Sequence, residues 1–81
     1  MALSELRIRE IVAQTFDVPL AEVDASSSCD TVPNWDSLGH LRLILALEHA
    51  LDSLIEPEDV VEMLSVEEIR AIVEKRYERS A

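Results

Sequence analysis

Three residues near the middle of the chain have the types that do covalent chemistry: Asp36, Ser37 and His40, in the order Asp-Ser-x-x-His. On a helix, residues three apart lie one turn apart, so the side chains of Ser37 and His40 can meet. A nucleophile beside a base is the first requirement of acyl-transfer catalysis. The second, a carboxylate on the far side of the imidazole, is not met, because Asp36 precedes the serine and has no route there. A chain of 81 residues also leaves little room for an oxyanion hole beside a substrate cleft. No catalytic residue is expected. A metal site fits no better. His40 and His49 are nine residues apart and Cys29 is the only cysteine, whereas a structural zinc site wants four N or S ligands at close spacing. Cys29 is read as a plain reduced thiol in a loop, and His40 as a partly buried, hydrogen-bonded histidine.

Ser37 has a third possible role, as an acceptor. A serine at the start of a helix, after a long loop, offers its hydroxyl to a modifying enzyme. A phosphodiester there would sit at the positive end of the helix dipole, near unpaired backbone N–H groups. The competing reading is that Asp36 or Ser37 merely caps the helix, and the physics of the segment favours that one, since Asp and Ser are ordinary cap residues.

The elements that must position Ser37 follow from periodicity. Ile8, Ile11, Val12 and Phe16 mark one face of a first helix over about residues 4–15. Residues 17–35 lose the pattern and contain Pro19, Pro33, Asn34 and three consecutive serines, 26–28. So long a connector is usually functional or hides a short element, and residues 20–23, after Pro19, suit a single helical turn. A second helix runs over 37–51, with Leu43, Ile44, Leu47 and Leu51 on one face and Asp36 as its N-cap. Leu38, Leu41 and Leu45 form a second stripe, flanked by Arg42, Glu48 and His49. A helix in so small a protein needs only one wide apolar stripe, so the surplus leucines have two readings: the bundle wraps far enough to bury both stripes, Leu38 being expected inside, or Leu41 and Leu45 stay at least partly exposed as an apolar contact ringed by charge. Pro57 opens a short third helix, with Val60, Met63 and Leu64 turned inward. Ser65 and Glu68 have capping-box spacing and open a last helix carrying Val66, Ile69, Ile72, Val73 and Tyr77. Lys75, Arg76 and Arg79 lie near its C-terminus, where positive charge suits the dipole. No strand pattern competes. The expected fold is all-α, a small four-helix bundle with three longer helices, a short third one and a long loop between the first two, making one domain over residues 1–81.

Composition narrows the function. The single glycine, Gly39, excludes a Gly-rich phosphate cradle. Between residues 17 and 68 there are 13 acidic residues and one basic residue, Arg42, within a net charge of −10. An anionic middle repels nucleic acid and anionic lipid and favours a partner with a basic surface, through attraction that salt screens. One cysteine gives no internal disulfide, the N-terminal residues lack the pattern of a signal peptide, and the longest apolar run, residues 43–47, is far too short to span a bilayer. A cytoplasmic monomer is expected.

The run Asp36-Ser37-Leu38, followed by Leu41, Leu43, Ile44 and Ala46-Leu47-Glu48, resembles the signature of acyl carrier proteins. The likeness extends without a gap over about residues 36–73. It takes in the acidic short third helix, residues 56–62, and the Ser-Val-x-Glu opening of the last, residues 65–68. More loosely, residues 16–23 resemble the family's end of helix one and start of the long loop.

The resemblance implies that Ser37, flanked by Asp36 and Leu38, carries 4′-phosphopantetheine through a phosphodiester made by a phosphopantetheinyl transferase. The arm's thiol would hold a cargo acid as a thioester, loaded by an acyl- or aminoacyl-activating ligase and passed to downstream transferases. The carrier itself would catalyse nothing. Partners with basic patches would grip Leu41, Arg42, Leu45, Glu48 and His49 on the second helix and Glu56, Glu58, Asp59 and Glu62 around the third. The chain departs from many fatty-acid carriers at Gly39, His40, Arg42 and His49, and at Trp35, which resembles stand-alone carriers serving one specialised pathway. The alternative is an unmodified acidic helical module that docks basic partners through the same helices.

Overall fold

A computed structural model describes residues 3–77; Arg79, placed above near the last helix's end, lies outside them. Helix α1, Glu5–Phe16, starts where the Ser4 hydroxyl accepts the Arg7 N–H at 3.1 Å. Its expected face is buried: Ile8, Ile11, Val12 and Phe16, joined by Ala13. Asp17 ends it in the left-handed region at φ 56°, which Asp tolerates better than most residues.

The connector is ordered rather than free. Pro19 leads into a 3₁₀ turn, Leu20–Glu22, and Val23 behind it is buried. Ser26 donates to Asp24 Oδ1 through its N–H at 2.9 Å and its hydroxyl at 2.7 Å, and these bonds hold the exposed Asp24 carboxyl below its usual value. The backbone of the serine run then reaches across the molecule: Val66 N–H donates to Ser27 O at 2.9 Å, Cys29 N–H to Leu64 O at 3.0 Å, and Ser28 forms an isolated antiparallel bridge with Ser65. Val32 and Trp35 then enter the core, Trp35 stacking on Phe16 with ring centroids 5.3 Å apart.

Helix α2, Ser37–Leu51, buries Leu43, Ile44 and Leu47, with Leu51 half-buried. Helix α3 is one turn, Pro57–Val60, and Met63 beyond it is fully buried. Leu64 corrects the expectation: it is exposed, because its carbonyl turns to Cys29 while the next inward position falls to Val66. Helix α4, Val66–Ile72, is capped by Ser65, which accepts the Glu68 N–H at 3.0 Å and donates to the Glu68 carboxylate at 3.2 Å. It does not continue as a regular α-helix. Residues Val73–Tyr77 widen into a π turn. Helix α1 packs against both α2 and α4. The result is a small, mostly helical structure with four α-helices and no strand among the described residues.

The π turn ends on Tyr77, whose hydroxyl donates to Asp59 Oδ2 at 2.6 Å and accepts the Glu56 N–H at 2.8 Å. Arg76 Nε lies 3.1 Å from the same carboxylate oxygen. Burial, and then the bond to Asp59, push the Tyr77 phenol above its usual 10.0. A proton held more tightly in the folded state stabilises it fully below pH 10, and that contribution is lost as pH rises through the folded value. Tyr77→Phe is therefore expected to cost about 0.5–1.5 kcal/mol near neutrality, the net worth of a hydrogen bond. The gap between parent and variant should close above pH 10. Urea melts from pH 7 to 11 check it, and a constant gap would contradict it.

Candidate functional site

At the start of α2 the two competing roles are divided between neighbours. Asp36 Oδ1 accepts the Gly39 N–H at 2.8 Å, so Asp36 is the cap. Ser37 is exposed, and among the described residues its hydroxyl has no hydrogen-bond partner. The side chain is thus released from structural duty at a helix start. Beside it lies an open hollow of about 320 Å³ lined by Cys29, Trp35, Asp36, Ser37, His40 and Leu64.

Gly39 has a reason that sequence reading missed. A Cβ there would clash with the Asn34 carbonyl oxygen and lie 2.8 Å from the Phe16 ring. The turn that delivers Trp35, Asp36 and Ser37 passes directly over this first helical turn, with Asn34 itself at φ 71°. Only a residue without a side chain lets backbone approach so closely. Gly39→Ala is expected to destabilise by about 1–3 kcal/mol, as overpacking does, despite alanine's better helix propensity. A denaturant midpoint at or above the parent's would refute this.

His40 is half-buried and doubly engaged. Trp35 Nε1 lies 3.0 Å from its Nδ1, and its Nε2 is 2.7 Å from Val60 O. An indole N–H only donates and a carbonyl only accepts, so Nδ1 is the acceptor and Nε2 carries the proton. With both ring nitrogens committed, His40 offers no base to Ser37. The signal for this arrangement was present in the sequence: a buried tryptophan seeks a partner for its N–H, and His40 is five residues on. Among the described residues no group of three or more His, Cys, Asp or Glu side chains is placed to hold a metal ion.

The outer face of α2 carries Leu38, Leu41 and Leu45 with 69%, 55% and 59% of their surface exposed. Leu41 and Leu45 are exposed, as the second reading has it. Leu38 is not inside as expected: the helix has only one buried side, towards α1 and the connector, and Leu38 is on the other. Val61 and Leu54 add exposed apolar surface that periodicity did not flag. Arg42, His49, Glu56, Glu58 and Glu62 are exposed. Two residues assigned to a partner face have other work. Asp59 is 4% exposed, held by Tyr77 and Arg76. Glu48 is half-buried and accepts the Ile55 N–H at 2.9 Å, fastening the chain after α2. No helix among the described residues is long and apolar enough to cross a membrane. No protein-family model matches the chain.

Proposed function

We propose that this chain is a stand-alone carrier protein, a four-helix bundle of the acyl carrier type, bearing 4′-phosphopantetheine on Ser37. The observation that carries the reading is the exposed Ser37 hydroxyl, left unengaged because Asp36 does the capping, within the run Asp36-Ser37-Leu38 that resembles the family signature. The residues present suit the group. The Ser37 oxygen would form the phosphodiester, and the Ser37 and Leu38 N–H groups, which have no partner among the described residues, favour negative charge at a helix start. When bound, the arm supplies a thiol on which a cargo acid is held as a thioester. The chain's own part is placement and recognition. Exposed Leu38, Leu41 and Leu45 form an apolar contact, and exposed Glu56, Glu58 and Glu62 attract the basic surfaces of a transferase, an acyl- or aminoacyl-loading ligase and later acceptors. Asp59 and Glu48 drop out of that surface. We read the carrier as a cytoplasmic monomer of a specialised pathway. The test is intact mass after incubation with a phosphopantetheinyl transferase and coenzyme A. One phosphopantetheinyl addition is expected, and an unchanged mass with several such transferases would reject the proposal.

A further inference from the structure

We infer that His40, bonded to both Trp35 and α3, is a positioning residue that presents Ser37 for modification; the inference rests on the carrier reading above. Trp35 is the second residue before Ser37, so whatever fixes Trp35 fixes the chain's entry into α2. Stacking on Phe16 anchors the indole in the core, but stacking alone leaves the direction of its N–H unset. The bond from Trp35 Nε1 to His40 Nδ1 removes that freedom, and the bond from His40 Nε2 to Val60 O ties the same ring to α3. The connector's end, the first turn of α2 and α3 are thereby joined through one imidazole. That imidazole and Trp35 also line the hollow beside Ser37.

The entry needs such a fastening. Asn34 sits in the left-handed region and its carbonyl occupies the space a Cβ on Gly39 would need, a close approach that depends on what holds the residues after it. With the clamp gone, Trp35 and Asp36 can relax together, and Ser37 with them. A hydroxyl displaced by about 1 Å from its productive pose can lose on the order of a hundredfold in rate. The side chains proposed for docking make no bond to Trp35 or His40 themselves, so the loss belongs in turnover rather than in binding.

The experiment measures arm attachment by a phosphopantetheinyl transferase with coenzyme A, on the full chain, for the parent, His40→Leu, His40→Gln and Trp35→Phe. His40→Leu is expected to lower kcat by about tenfold or more with KM changed by less than about threefold, the pattern of a lost transition-state geometry. His40→Gln, which keeps one acceptor and one donor, should recover most of the loss. Trp35→Phe keeps the stack, removes only the donor, and should fall in the same direction, which serves if His40→Leu fails to fold. Parent-like kcat in Trp35→Phe and His40→Leu, or no recovery in His40→Gln, overturns the inference. If the parent itself takes up no arm, the carrier reading fails instead. Positioning is then judged by NMR: the Ser37 and Leu38 amide signals should shift in Trp35→Phe and His40→Leu and return in His40→Gln, and unmoved signals overturn it.

Discussion

Ser37→Ala is expected to fold like the parent and to accept no phosphopantetheinyl group, an all-or-none loss of function with almost no loss of stability. The division of labour at the start of α2 dictates this. The hydrogen bond that caps the helix belongs to Asp36, so removing the Ser37 hydroxyl breaks no bond among the described residues. Alanine is also the better helix former, and the stability change should stay within about 0.5 kcal/mol, as for most surface substitutions. Asp36→Ala is the contrasting control. It removes the cap and should cost about 0.5–2 kcal/mol while retaining the Ser37 hydroxyl that accepts the arm. Intact mass and thermal melts of the two variants separate the roles. The neighbouring serines give no substitute: Ser27 is buried, Ser26 donates its hydroxyl to Asp24, and Ser28 accepts the Asp30 N–H. A parent-like mass gain in Ser37→Ala would move the attachment elsewhere and end the proposal.

Local pattern carried far in this chain, and it stopped where a residue's role depends on something distant in sequence. The faces of α1 and α2, the Asp36 and Ser65 caps and the turn after Pro19 are all decided within about two helical turns, and, Leu38 apart, lie where periodicity and cap chemistry put them. Asp59 was legible only as one more acid in an acidic stretch. Its burial is decided by Tyr77 and Arg76, which reach it from the far end of the chain through a π turn that no spacing rule announces. Leu64 fits an inward helical position on paper, but the helix stops at Val60 and the connector claims the Leu64 carbonyl. Gly39 reads as a mere departure from a family pattern until the Asn34 carbonyl is seen above it. At the candidate site the same rule applies. The acceptor serine is legible because its setting is local, whereas the hollow beside it joins Cys29, Trp35, His40 and Leu64 from separate segments.

The second large effect contrasts the two stripes of α2. Leu47 is completely buried among residues of the core, on the side of α2 that packs against α1. Leu47→Ala removes that side chain and leaves a cavity, which costs about 2–5 kcal/mol. A domain of this size has in all roughly 4–12 kcal/mol of stability, at about 0.05–0.15 kcal/mol per residue. The variant should therefore melt some 8–40 °C lower, at about 4–8 °C per kcal/mol, or fail to fold. Leu41 and Leu45 are more than half exposed, so each truncation to Ala should cost about 0.5 kcal/mol or less. Their effect should fall on association instead. An exposed apolar pair on α2 after Ser37, with Arg42 and His49 exposed on the same helix, has the make-up of a contact centre with a charged rim. Loading by a transferase should accordingly show a raised KM in Leu41→Ala and Leu45→Ala, with kcat little changed, the opposite split from the one expected of His40→Leu. Urea melts and loading kinetics on the three leucine variants decide between the stripes. Equal destabilisation by all three would assign Leu41 and Leu45 to the core and remove the docking face, because a side chain that holds the fold together cannot also be the surface a partner reads.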